Sequence, residues 1–204
     1  MSVNRNTKET CQSKMTLLEE ILKANEAFVK NEEFKAYKTD KTPNKKAVFL
    51  TCMDTRLSEL ATKAFGLKNG DIKQLKNAGA VVSHPYGSTM RSILVAVYAL
   101  GVDEVFIMGH HDCGFGALKP DPVIKEMKDR GISEDTFNTL DHSGIDVRDW
   151  LKGFDSVEES VTETVNNVKN HPLLAKSIPV HGLIMDPETG KADLVINGYE
   201  KVEE

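Results

Sequence analysis

Cysteine is scarce in this 204-residue chain, and its three copies are too few and odd in number for a disulfide framework. No C-x-x-C pair is present, which argues against a thiol-redox protein. No apolar run approaches the ~18 residues of a membrane-spanning helix. The stretch MSVNRNTKETCQSK at the start is polar and lacks the apolar centre of a secretory signal. Positive charge is not in excess either: the net charge is -5, and the single basic cluster, KTDKTPNKK (38–46), reads as a solvated loop. That balance leaves no electrostatic footprint for nucleic acid or for an anionic membrane. Internal repeats and low-complexity segments are lacking. These absences point to a soluble globular protein, expected in a reducing cytoplasm. There, cysteines near His and Asp suggest metal binding or catalysis before they suggest a staple. The length suits one domain over 1–204, with a flexible tail at 1–14 and a helical arm at 15–36.

What is present is an alternation of short apolar runs and amphipathic segments. AVFLT (47–51) and EVFIMG (104–109) are unbroken and partly β-branched, as expected of strands buried on both faces. DIKQLKN (71–77) is a more polar strand, suited to an edge. Helical spacing is read over 15–36, 57–66, 88–100 and 157–170, with Gly101 and Pro172 as stops. The segment VHGLIMDPETGKADLVIN reads as two strands around a DPETG turn. Residues 117–155, poor in apolar periodicity and punctuated by Pro and Gly, predict short helices and loops. Strands alternating with helices imply right-handed crossovers. The expected fold is α/β, with a mostly parallel sheet in the order 2-1-3-4-5, its last strand antiparallel.

Two motifs follow the two buried strands: TCMDTR (51–56) and GHHDCG (109–114). In an open parallel sheet, ligands bind at the carboxyl ends of the strands where the strand order reverses. The expected order puts that reversal between the two motif-bearing strands. Cys52, His110 and Cys113 then form a donor set suited to zinc, and three strong donors without an evident fourth is the pattern of a site that holds water. Asp54 can accept a hydrogen bond from that water. Left free, the same carboxylate could become the fourth ligand, and Arg56, through a charge-assisted fork, can hold it away.

Several residues receive plainer readings. His111 is expected on the surface or packed, not as a ligand, and Asp112 is expected to cap or hydrogen-bond its turn. Gly79 and Gly114 are expected to allow turns or close backbone approach. Cys11 reads as an incidental thiol, and Trp150 and the phenylalanines as core. Among possible proton shuttles, His84 in the loop SHPYG stands ahead of His142, His171 and His181, for which surface or packing roles are expected.

CMDTR followed by HHDCG resembles the C-x-D-x-R … H-x-x-C signature of the β-class carbonic anhydrases. KNAG (76–79) is similar to that family's R/K-N-x-G stretch, and HGLIMDPETGKADLV to its closing strand pair. The resemblance runs from about residue 15 to 198 and is nearest to the compact bacterial branch with a DCG ending. Lys68 stands roughly where the plant-like branch carries a Gln, and 119–155 has no counterpart in the minimal pattern. The resemblance implies zinc-hydroxide attack on carbon dioxide to give bicarbonate and a proton, an Asp54–Arg56 dyad, and at least a homodimer. Two alternatives stand beside it: hydrolysis of carbonyl sulfide or carbon disulfide on the same donors, and a non-catalytic zinc-binding protein with Asp54 as permanent ligand.

Overall fold

The computed structural model describes residues 15–200, so the expected flexible tail at 1–14, with Cys11, lies outside the described residues. The chain divides into two units, one ending at Thr39 and the other beginning at Asp40. In the first, helix α1 (Leu17–Lys30) starts at Thr16. The Thr16 hydroxyl accepts from the Glu19 N–H at 3.3 Å, and the Glu19 carboxylate accepts from the Thr16 N–H at 2.7 Å. This reciprocal cap satisfies two backbone donors that the first turn leaves unpaired. A short 3-10 turn, Glu33–Tyr37, follows, so the arm expected at 15–36 is one helix and one turn. No residue of α1 is buried, and Leu17, Leu18, Ile21, Leu22 and Val29 are exposed.

The second unit is built on five strands: β1 (Ala47–Cys52), β2 (Ile72–Asn77), β3 (Glu104–His110), β4 (Val180–Met185) and β5 (Ala192–Ile196). Their order is β2-β1-β3-β4-β5, with every pair parallel except β4 with β5. Every residue of β1 is buried, whereas β2 mixes half-buried and exposed positions, as its edge place requires. Helix α2 (Leu57–Ala64) follows β1, α3 (Ser88–Leu100) follows β2, and α7 (Val157–Lys169) precedes β4.

Side chains alternate across a strand, so the sheet feeds two separate clusters. Val48, Leu50, Val105, Ile107 and Val180 pack with Met90, Ile93 and Ala96 of α3 and with Val161, Val165 and Val168 of α7. Met108 and Met185, from the opposite phase, pack with Cys52 and with Leu57 and Ala61 of α2. Helix α7 lies close on the sheet because Gly109 has no side chain: a Cβ there would sit 2.7 Å from Val161 Cγ2. That approach seats the residue before His110 firmly under a helix.

The region between β3 and α7 holds α4 (Pro120–Asp129), α5 (Glu134–His142) and α6 (Val147–Leu151), matching the short helices expected at 117–155. It is lightly packed: Ile124 is the one buried residue in α4, and α5 and α6 bury none. Trp150, expected in the core, is therefore 73% exposed: α6 is a single short turn with no layer over its outer face. Phe34 also lies outside any core, at 37% exposed. An ion pair between Arg148 and Asp121 and an edge-on contact of Phe115 with Phe154 at 6.0 Å tie the segment together.

Candidate metal centre and active site

β1 and β3 are neighbours in register, with Thr51 opposite Met108, so their carboxyl ends finish side by side. Cys52 ends β1 and His110 ends β3. The pairing partners of β1 are β2 on one side and β3 on the other, so the two motifs flank the point where the order reverses. There Cys52, His110 and Cys113 bring one donor atom each within 4.8 Å of one another. His111 is not part of this group; it is exposed, and its backbone N–H donates to the Met185 carbonyl at 3.0 Å.

The donors fit a zinc ion. Cys52 Sγ and Cys113 Sγ are 3.8 Å apart. Two thiolates bound at ~2.3 Å on a tetrahedral ion would be about 3.8 Å apart. His110 is fully buried, and its Nδ1 lies 2.8 Å from the His111 carbonyl oxygen. A carbonyl can only accept, so Nδ1 carries the proton and Nε2 presents its lone pair. Nε2 is buried without a hydrogen-bond partner of good geometry. A buried nitrogen with a free lone pair facing two thiols is an arrangement that a metal ion would complete.

The KNAG stretch serves Cys52. The Gly79 N–H donates to Cys52 Sγ at 3.4 Å. Gly79 has φ +79°, and a Cβ on it would meet Phe115 Cδ1 at 2.5 Å, so glycine is required both for the turn and for the approach. Gly114, expected to need the same freedom, has nothing within 4 Å of a would-be Cβ and no left-handed φ. Burial resists ionisation of Cys52, but the adjacent His110 ring, the Gly79 and Asp54 amides and Cys113 outweigh it, bringing the thiol down to about 7. Cys113 moves up instead, through burial and the neighbouring Cys52. His110 moves up because the Cys52 thiol beside it favours the charged ring, against the opposing effect of burial.

The alternation in CMDTR becomes a clamp. Arg56 Nε donates to both Asp54 oxygens, at 3.1 and 3.3 Å, and Nη2 donates to Asp54 Oδ2 at 2.8 Å. The Arg56 backbone N–H adds a bond to Asp54 Oδ1 at 2.9 Å. These contacts hold the Asp54 carboxyl down at about 2, the Arg56 side chain foremost among the causes. Held this way, Asp54 Oδ2 stands 3.8 Å from His110 Nε2. Asp112, expected to cap or hydrogen-bond its own turn, bonds across to the other motif instead: its carboxylate accepts from Arg56 Nη1 and its carbonyl from Nη2, both at 2.9 Å. That contact is invisible in the sequence, because it joins residues 56 positions apart.

A cavity opens beside His110 and Cys113 and is walled by Ala117, Phe154, Asp155 and Val157. The end of the 119–155 segment thus forms part of the site, which no sequence pattern signalled. His111 also lines this cavity, whereas His84, His142, His171 and His181 stand outside it. His84 is exposed and accepts the Tyr86 N–H on Nδ1 at 3.1 Å. His171 and His181 are buried in packing roles, the first against the Pro85 carbonyl and the second stacked on Phe106. His142 is exposed at the end of α5 and bonded to the Asn138 carbonyl.

The family pattern described as carbonic anhydrase matches residues 47–192. The chain is 55% identical over 188 residues to a Bacillus subtilis protein named "Putative carbonic anhydrase YvdA", covering 92% of this chain and 95% of that one. It is 29% identical over 158 residues to a carbon disulfide hydrolase of Acidithiobacillus thiooxidans, covering 72% and 76% respectively. Among solved structures, the β-carbonic anhydrase isoform I of Trichomonas vaginalis superposes with a TM-score of 0.81 at 35% identity, over 91% of this chain and 100% of that one.

Proposed function

The chain belongs to the β-class carbonic anhydrase family, and from that premise we propose that it catalyses the reversible hydration of carbon dioxide to bicarbonate and a proton, using zinc held by Cys52, His110 and Cys113. The observation that carries this reading is the clamp: Arg56 holds Asp54 beside the three donors rather than among them, which leaves one position for water. Zinc, when bound, supplies a Lewis acid that makes a water molecule more acidic.

Each residue has a task. The two thiolates offset the charge of a divalent cation, and His110 is fixed by its Nδ1–H bond to the His111 carbonyl. Asp54, ionised at any working pH, accepts the remaining proton of the attacking oxygen as a hydrogen bond and so aims its lone pair at carbon. Arg56 keeps that carboxylate in place. Phe154, Ala117 and Val157 offer an apolar wall to an uncharged, apolar substrate.

The test is stopped-flow carbon dioxide hydration by zinc-verified protein across pH, with carbon disulfide offered in parallel. Turnover of carbon dioxide that rises from neutral to alkaline pH is expected. Zinc-loaded protein that consumes only carbon disulfide would move the chain to the hydrolase reading, since the same donors serve both reactions. Inactivity towards both would favour a zinc-binding role without catalysis.

The reading includes a homodimer or a multiple of one. An amphipathic helix with no buried residue and five exposed aliphatic side chains is costly to leave in water, at about 25 cal/mol per Å² of apolar surface. We take a second copy of this chain as its cover, through a two-fold interface. Light scattering should return twice the chain mass or a multiple of it, and Ile21→Glu should shift the protein towards monomer. A fully active wild-type monomer at micromolar concentration would count against this.

A further inference from the structure

We propose that Asp112 is a positioning residue for the reaction: it fixes Arg56 from the side away from Asp54 and thereby keeps Asp54 out of the metal position. The inference rests on the zinc reading above and deepens it.

A guanidinium has five N–H donors in a rigid fork. Nε and one Nη2 hydrogen serve Asp54. The other Nη2 hydrogen goes to the Asp112 carbonyl, and one Nη1 hydrogen goes to Asp112 Oδ2. Asp54 alone would fix one edge of the fork and leave the plane free to pivot about that edge. Asp112 grips the other edge at two points, so the fork has one orientation. Both points lie in the turn between His110 and Cys113, so the clamp is registered directly to two of the proposed ligands.

The backbone supports the same conclusion. Asp112 has φ +51°, the left-handed region, which Asp and Asn enter more readily than most side chains. Glycine would sit there without strain. A carboxylate occupies the position instead, and its partner is Arg56. The Asp112 side chain is 85% exposed, so the pair contributes little to folding. What it can contribute is orientation, because the carbonyl contact already brings Arg56 to the spot.

Asp112→Gly and Asp112→Asn separate these effects. The first relieves the backbone and removes the carboxylate, so loss of folding is not expected; the second keeps a neutral acceptor. Each is prepared with zinc for kinetics and with cobalt(II) for absorption spectroscopy at one alkaline pH. For Asp112→Gly, kcat should fall about tenfold, the scale of one charge-assisted hydrogen bond, with KM changing less. Its cobalt spectrum should move towards that of Arg56→Ala, and Asp112→Asn should fall between. A merely structural role would leave the spectrum of the folded, metal-loaded variant unchanged. Wild-type kcat and an unshifted spectrum in both variants would overturn the proposal. If the wild type binds metal but does not hydrate carbon dioxide, the functional reading fails while the cobalt comparison still decides the role of Asp112. Protein that takes up neither metal would overturn both.

Discussion

Protein carrying Cys113→Ser is expected to purify almost free of zinc, and the wild type to hold about one ion per chain. The thiol is raised by burial and by the Cys52 thiol beside it, so the metal must displace a reluctant proton to gain this ligand. It can do so because zinc–thiolate bonding is strong; a serine hydroxyl at the same place is a neutral and far poorer donor. Loss of a partner that merely supports a ligand weakens metal binding about 10–100-fold, so loss of the ligand itself should exceed that. The measurement is elemental analysis after dialysis against a weak chelator, followed by competition with a chromophoric one. His111→Ala serves as the comparison and should keep its zinc, because His111 is exposed and outside the donor group. Stoichiometric zinc in Cys113→Ser, together with its loss in His111→Ala, would reverse the assignment. The metal-free variant should remain folded, since Val48, Ile107, Val161 and their neighbours form a core that needs no metal.

Much of this architecture was legible in the sequence, for identifiable reasons. AVFLT and EVFIMG announced themselves because both faces of an inner parallel strand are covered, so no polar alternation interrupts the run. The helix over 88–100 ends where the sequence predicts, since Gly101, at φ +70°, is a C-terminal stop with a physical cause. The donor group could be anticipated because strand ends place chemistry at a predictable edge. The Asp112–Arg56 contact was hidden, as it depends on how a left-handed turn aims a carbonyl and a carboxylate across to another motif. Trp150 misled for a related reason: residue type favours burial, but a five-residue helix in a thinly packed segment has no layer to bury it against. The same segment supplies Phe154 and Asp155 to the wall of the site, and only tertiary packing brings them there.

The largest kinetic effect without metal loss should come from Arg56→Ala. In the wild type, Asp54 receives four contacts from Arg56, three from the side chain and one from the backbone. Removing the side chain leaves only the amide, and the carboxylate, 3.8 Å from His110 Nε2, gains freedom to move in among the donors. A carboxylate is a good zinc ligand, so the expected resting state of the variant has four protein donors and no place for water. Turnover should fall by about 10²-fold or more, with zinc content unchanged. Arg56→Lys should recover little, because a point charge cannot reproduce the fork. The pH dependence separates this mechanism from simple loss of a charge. The depressed carboxyl of Asp54, at about 2, contributes stability that is present above its ordinary value near ~4 and lost as pH falls through about 2. Asp54 therefore does not titrate in the neutral range, and we assign the expected rise in activity from neutral to alkaline pH to ionisation of the water that zinc would hold, in competition with the carboxylate for that position. In Arg56→Ala the carboxylate competes better, so the rise should move to higher pH. Asp54→Asn should behave differently: its amide is a weak ligand that leaves the position open, so activity falls without that displacement, through loss of the anionic acceptor. Structures of wild type and Arg56→Ala at one pH above neutrality decide the matter. Asp54 bound to zinc in the variant alone is the expected result; water on zinc in both, with equal hydration rates, would mean that the clamp does not gate the site.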